Sequence, residues 1–336
     1  MGPYITSHID RQGAGDSRPT ALQIIKDQEL EGKLAGKTIV LTGARTGIGL
    51  ETARALSSTG ANLILLVRDV EKASTTLGDI LEPGRVSLVD MDNASFASVR
   101  TAAATILTQT NNRINILIAN AGIMGIQERT LTEDGYEMHF ATNHLGHFLL
   151  FQLLKDALLT ASTPSFHSRV VVVSSSSQRA RGLNASDNYN FEKGGYKYEL
   201  AYANSKLANV YMANEIERRY ASKGLHATSV HPGAIWTDLP RHLGREFIDN
   251  IMGNEKIAKW FKNAEQGAAT TVVASVGKEW EGTGGKYLED CEEAKRGADD
   301  GAVFGVGYVK HTYDPEAELR LWKDSLKIVE MDDDTE

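Results

Sequence analysis

Short apolar runs without polar alternation recur along the chain: TIVLT at 38–42, NLILLV at 62–67, VSLV at 86–89, INILIA at 114–119, RVVVVS at 169–174 and HATSV at 226–230. Strands that read this way are covered on both faces, as in a parallel sheet. Between them lie segments of helical period, Ile48–Ser58, Val70–Ile80, Phe96–Leu107, Tyr136–Leu159 and Tyr202–Tyr220. Strand and helix alternate, which predicts an α/β fold with a doubly wound parallel sheet. The spacing is even and no Pro/Ser-rich linker or internal repeat interrupts it, so residues 37–330 are expected to form a single domain. Residues 20–30 predict an extra helix within an N-terminal extension, 1–36, with Leu22, Ile25 and Leu30 turned to the body. The acidic tail at 331–336 is expected to fray.

Composition narrows the partners. The chain has 336 residues and a formal net charge of -8, with no basic stripe, so nucleic acid is not expected as a partner. Cys291 is the only cysteine, which rules out an internal disulfide and suits a reducing compartment; a cytoplasmic location is the expectation. The first 36 residues lack the apolar stretch of a signal peptide, and no apolar run is long enough for a membrane span. A homo-oligomer is left open.

Thr42-Gly43-Ala44-Arg45-Thr46-Gly47-Ile48-Gly49 joins the first strand to the helix after it. Glycines there let the backbone turn tightly and approach a pyrophosphate, while the helix N-terminus offers unpaired N–H groups to its charge. The flanking strand and helix lift the motif above an ordinary glycine turn. The second strand then runs into Arg68-Asp69. A carboxylate at that point accepts the ribose hydroxyls of NAD(H), whereas a guanidinium suits the 2′-phosphate of NADP(H), and Arg45 is close enough in the loop to assist. The two cations favour NADP(H) over NAD(H); Asp69 keeps NAD(H) as the alternative. Asp90, after the third strand, is a candidate acceptor for the adenine amino group or a capping acid for the next helix. Asn120-Ala121-Gly122, after the fourth strand, offers small residues where a backbone passes close to a ligand, or is only a tight turn.

Tyr202 and Lys206 stand four apart in YANSK, on one face of a helix. Bringing a phenol from its ordinary pKa to near 7 takes roughly 4 kcal/mol, about what one cation 4 Å away supplies at an effective dielectric near 20. Lys206 is expected to do this for Tyr202, which then trades a proton with a substrate oxygen; a helix tyrosine with a snorkelling lysine is the structural alternative. Ser175, at the end of the fifth strand, lies where ligands bind in such sheets and is a candidate hydrogen-bond partner for that oxygen, ahead of Ser174 and Ser176. Asn143, in ATNHLGHF, needs a partner for its amide: a water leading to Lys206, or a packing contact. His139, His144 and His147 lack the HExxH spacing, so no metal is expected.

Taken together, TGARTGIG, NAG, Asn143, VVVSS, YANSK and HPGAIWTDL resemble the short-chain dehydrogenase/reductase family over about residues 37–290. TGARTGIGLETA, TNHLGHF and YANSKLAN look most like its retinol-dehydrogenase-like and WW-domain-oxidoreductase-like branch. VRD stands where that branch often has CRD, and the long interval from serine to tyrosine suits its inserted loop. The resemblance implies a catalytic set of Ser175, Tyr202 and Lys206 with Asn143 as the fourth, water-holding member. It also implies that the loop with Pro232, Gly233, Ile235 and Thr237 holds the nicotinamide carboxamide, and that hydride passes between NADP(H) and a carbonyl or alcohol. GKYLEDCEEA and DPEAELRLWKDS resemble members from filamentous fungi, many of which serve secondary metabolism.

After Thr237, apolar residues at helical spacing continue to Phe261; such residues are usually core, but the resemblance implies a substrate lid over about 237–262, with Met124, Tyr196, Tyr198 and Trp236 as candidate pocket lining. The expected substrate is a lipophilic or aromatic small molecule. A catalytically silent module that senses NADP(H) is the rival from another class, and an epimerase or dehydratase on the same fold is a third reading.

Overall fold

The apolar runs form strands because each offers side chains to both faces of one sheet. A computed structural model describes residues 3–235 and 254–333. Its strands are β1 (Thr38–Thr42), β2 (Asn62–Val67), β3 (Val86–Asp90), β4 (Ile116–Ala119), β5 (Ser168–Val173), β6 (Leu225–His231), β7 (Ala234–Ile235), β8 (Phe261–Lys262), β9 (Lys286–Glu289) and β10 (Glu292–Glu293). The main sheet runs β3-β2-β1-β4-β5-β6-β9-β10, and β7 pairs with β8 separately. Every pairing is parallel except that of β10 with β9. Val40 of β1 sits between Ile64 and Leu117, so the strand order reverses at β1 and opens a crevice at the carboxyl ends of β1 and β4.

Helices cover both faces: α1 (Ala21–Asp27), α2 (Gly47–Ser57), α3 (Val70–Thr76), α4 (Phe96–Gln109), α5 (Gly146–Ala161), α6 (Tyr198–Tyr220), α7 (Ala269–Val276) and α8 (Pro315–Ile328). Alternation along β1 splits the core in two. Val40 faces Phe148 of α5, Tyr211 of α6 and Trp322 of α8, while Ile39 and Leu41 face Ile24 of α1, Leu56 of α2 and Val272 of α7. The single doubly wound domain expected from the sequence is present.

Three local expectations change. Thr20 caps α1 with its hydroxyl, which rotates Ile24 and Ile25 inward and leaves Leu22 exposed. The helix expected across Tyr136–Leu159 is interrupted: a short turn at Met138–Phe140, begun by the Glu137 carboxylate, leads into a π turn at Ala141–Leu145, and only then does α5 begin. One extra residue per turn leaves the apolar spacing almost unchanged, so the sequence period hides it. At the C-terminus Asp333 is held, because Arg219 Nη1 stands 3.0 Å from both its carboxylate oxygens, while residues 334–336 of the expected tail lie outside the described residues.

The π turn sits against the loop after β3. A Cβ on Gly146 would fall 2.3 Å from the Asn93 carbonyl oxygen, while Asn93 Nδ2 donates to Thr142 O at 3.2 Å and holds that loop in place. Gly146→Ala is therefore expected to destabilise the fold by about 1–3 kcal/mol. Chemical or thermal denaturation measures this; unchanged stability would mean that the loop yields freely.

Candidate active site

At the crevice the ends of β1 and β4 are stitched by one side chain. The Thr42 hydroxyl accepts from Asn120 N at 2.9 Å and Ala121 N at 2.8 Å, and Asn120 Nδ2 returns a bond to Thr42 O at 2.9 Å. With its lone pairs used, the Thr42 O–H is left to donate to His147 Nε2 at 2.8 Å, so Nδ1 carries the ring proton toward Asn143 O at 2.9 Å. Burial pushes the His147 pKa down to about 4, in keeping with that neutral ring.

On this floor the glycine loop lies as close as backbone allows. Gly43 has φ +70° and a Cβ there would stand 2.8 Å from Ala121 Cα; one on Gly49 would stand 2.1 Å from Gly43 O. The N-cap residue of α2, Thr46, makes no side-chain cap, so the first-turn N–H groups are not taken by it. A dinucleotide pyrophosphate fits this arrangement, with close backbone and a helix N-terminus facing a cleft of 580 Å³.

Gly43, Arg45, Thr46, Gly47, Ile48 and Gly49 border that cleft at one end, with Arg68 and Asp69 beside them. Asn120, Ala121 and Gly122 form its middle, and Ser175, Tyr202, Lys206, Pro232, Gly233 and Ile235 its other end. Thr237 and Trp236 lie outside the described residues, as does the expected lid up to 253. Asp69 is already engaged: Oδ1 accepts from Lys72 N at 3.0 Å to cap α3, and Oδ2 pairs with Lys72 Nζ at 2.7 Å. Its carboxyl is held below the usual range by these Lys72 contacts.

Asp90 is a correction. It ends β3 with its side chain exposed and does not border the cleft; Asp92 does. The chain continues the strand direction through Met91, whose N–H bonds Val67 O and whose side chain is buried, and turns only at Asp92. Nor does Asp90 cap α4, since Ser95 does. Met124, Tyr196 and Tyr198 are also absent from the described cleft border; the Tyr196 hydroxyl is drawn aside to Ile126 O at 2.9 Å and Glu137 Oε1 at 3.2 Å. His231, missed by the sequence reading although it stands in the HPG run, borders the cleft and accepts from Ser176 N at 3.2 Å through Nδ1.

At the far end α6 presents Tyr202 and Lys206 on one face, both buried. Lys206 Nζ donates to Val173 O at 3.1 Å and stands 5.7 Å from the Tyr202 ring centre. Burial raises the phenol to about 12, against the opposing pull of the Ser175 hydroxyl, and lowers Lys206 to about 8. The expected depression of Tyr202 by its neighbour is therefore absent in the protein alone, because desolvation of the phenolate outweighs an ammonium turned to a carbonyl. Tyr202 rests as a neutral acid. Ser174 and Ser175 both border the cleft, but the Ser174 hydroxyl is spent on Lys206 O at 2.7 Å.

Asn143 sits in the π turn, fully buried, and does not border the cleft. Its Oδ1 accepts from Ile123 N at 2.8 Å and its Nδ2 donates to Ile123 O at 3.1 Å and Ser205 Oγ at 2.9 Å. The side-chain amide is thus satisfied by packing partners, one residue from Lys206. His139 and His144 go to other partners, Glu137 and Ser325.

Comparison with known proteins identifies the family. Residues 37–246 match the short chain dehydrogenase family model. The chain is 48% identical over 330 residues to the short-chain dehydrogenase/reductase prx1 of Penicillium rubens, covering 98% of this chain and 96% of that protein. It is 36% identical over 307 residues to human retinol dehydrogenase 13, covering 89% and 86%. A crystal structure of an uncharacterised Mycobacterium paratuberculosis protein superposes with a TM-score of 0.66 at 28% identity, covering 89% of this chain and 95% of that one. The chain belongs to the short-chain dehydrogenase/reductase family, in its retinol-dehydrogenase-like branch, and is an oxidoreductase acting between CH–OH and C=O with a nicotinamide cofactor.

Proposed function

We propose that the protein is an NADP(H)-dependent oxidoreductase of lipophilic or aromatic carbonyls and alcohols, with Tyr202 as proton donor and acceptor. One observation carries the reading: a buried phenol and ammonium share one end of a cleft whose other end is a glycine cradle flanked by two arginines. Bound along that cleft, the nicotinamide supplies or takes the hydride. Ser175 holds the substrate oxygen by a hydrogen bond. Tyr202, neutral at rest, gives its proton to that oxygen as negative charge builds on it, and Lys206 stabilises the phenolate left behind. Asn143 positions the pair through Ile123 and Ser205, and Ile235 and Thr237 would hold the carboxamide of a bound cofactor.

The choice of NADP(H) rests on Arg45 and Arg68 together with Asp69, whose carboxylate is committed to Lys72 and is poorly placed for ribose hydroxyls. A lipophilic substrate is supported by Ile123, Val173 and Ile235 on the cleft wall and by a relative named for retinol. The Penicillium relative supports a place in fungal secondary metabolism. The lone, buried Cys291 suits a cytoplasmic setting.

Tyr202→Phe is expected to lower NADPH consumption about 10²–10⁴-fold with the fold intact. A panel of carbonyls followed at the nicotinamide absorbance, with circular dichroism as control, reads this; activity confined to small charged carbonyls would sink the substrate class. Arg68→Asp is expected to shift preference toward NADH, and identical cofactor ratios before and after would remove that arginine from phosphate recognition.

Lys206 gives a pH-dependent stability effect. Its pKa falls from 10.5 to about 8 on folding, so its burial costs stability fully below pH 8, and the cost fades as pH rises toward 10.5. Lys206→Met removes about 3 kcal/mol of that cost, and Val173 O keeps Asn209 Nδ2 at 3.0 Å. The variant is expected to melt higher than the parent at pH 7, to match it near pH 10.5, and to lose turnover. A lower Tm at pH 7 would show that the lysine serves the fold instead.

A further inference from the structure

The N-terminal extension has no part in the chemistry above, yet it makes a dense set of buried polar contacts to one distant region. Arg18, 3% exposed, donates through Nη1 to Trp260 O at 3.1 Å and through Nη2 to Phe261 O at 2.6 Å. Its Nε is held at 2.8 Å by Asp16. Gln266 answers from the other side: Nε2 donates to Arg18 O at 3.1 Å and Oε1 accepts from Gly15 N at 2.9 Å. Arg11 lies 4.1 Å over the Trp260 ring and bonds Asp290 Oδ2 at 3.0 Å.

What the extension grips is the outer strand of a two-strand ladder. β8 pairs with β7 in the register Ala234↔Phe261 and Ile235↔Lys262, and β7 continues the cleft-bordering loop from Pro232. Lys262, 2% exposed, crosses the ladder: Nζ donates to Asp290 Oδ1 at 2.8 Å and reaches Pro232 O at 3.3 Å. Its stem fills the space where a Cβ on Gly233 would stand, 3.0 Å from Cδ and Cε. The helical turn carrying Gln266 closes on the same strand, since a Cβ on Gly267 would stand 2.7 Å from Ile235 Cγ1. His8 Nδ1 stands 3.1 Å from Asp290 Oδ1, and although burial pushes the Asp290 carboxyl up, Lys262 and His8 hold it well below the usual range.

We propose that residues Tyr4–Arg18 form a brace which, through Arg18, Arg11 and the Lys262–Asp290 pair, fixes the 232–235 loop in the position that receives the nicotinamide end of the cofactor. The inference rests on the NADP(H) reading above. Lys262 and Arg18 are positioning residues: neither borders the cleft, and each acts through backbone carbonyls of the ladder or its loop. A loop left to order itself on binding weakens only the half of the ligand it touches.

The brace is tested in the full chain with Lys262→Met and Arg18→Gln, by calorimetric titration with NADP⁺ and with adenosine 2′,5′-bisphosphate, which fills only the adenosine half. Both variants are expected to weaken NADP⁺ about tenfold and leave the bisphosphate unchanged, while hydrogen exchange of the ligand-free protein rises in a peptide spanning 230–235 and stays level in β1 and β4. Unchanged affinity for both ligands with unchanged exchange overturns the brace, and so does an equal loss for both ligands, which is what general destabilisation produces. If wild-type protein binds neither ligand, the NADP(H) reading itself falls and the brace with it. If wild type binds both and the variants behave as wild type, only the brace falls.

Discussion

A lysine ammonium shut inside the protein against a backbone carbonyl is the constraint around which the site is arranged. Lys206 cannot move without stranding its charge, so α6 must stay registered on the end of β5. Two further bonds enforce that register: Ser174 Oγ to Lys206 O at 2.7 Å and Asn209 Nδ2 to Val173 O at 3.0 Å. Ser175 follows in the chain at once, so the same stitches that hold the lysine set the distance from the serine hydroxyl to the phenol. This explains why α6 buries Lys206 and Asn209, polar residues that a helix serving only as core would not carry.

Much of this architecture was legible. Six strands and their order of appearance follow from apolar runs that need cover on both faces, and each begins and ends within two residues of where those runs do. The brackets of the site were also readable, because a glycine loop and a Tyr–Lys pair at helical spacing each state a local geometry. What stayed hidden depended on burial or on one residue of phase. Asp90 and Asp92 differ only in where the chain turns after Met91. The π turn at Ala141–Leu145 shifts the helix by one residue without disturbing its pattern. The direction of the Tyr202 shift required knowing that the phenol is dry. α8 is written plainly in the chain, with Asp314 as cap, Pro315 at the first position and an apolar stripe through Leu321, Trp322 and Leu326.

Under the cleft a second thread joins the two ends of the site. It runs from the Thr42 hydroxyl through the His147 ring to Asn143 O, and from Asn143 Nδ2 through Ser205 Oγ to Tyr202 O at 2.7 Å. Each of these links is a hydrogen bond between groups removed from water, so breaking one leaves two unpaired polar atoms rather than one solvated pair. Thr42 fixes the ends of β1 and β4, on which the glycine loop rests; Tyr202 carries the proton. The cradle and the acid are therefore parts of one hydrogen-bonded body rather than two features that happen to face one cleft.

The charge state of that thread matters as much as its connectivity. Burial lowers His147 to about 4 and His144, which stands on the same turn, to about 3. Both rings stay neutral across the physiological range, so the thread keeps one pattern of donors and acceptors while Lys206, near 8, is the member of the site that titrates closest to it. A histidine of ordinary pKa at position 147 would reverse its bond to Thr42 on protonation and set the Thr42 hydroxyl against the amides of Asn120 and Ala121. Holding the rings dry thus separates two jobs that share one scaffold: the floor keeps its geometry at every working pH, and proton exchange is confined to the end of the cleft where Tyr202 stands.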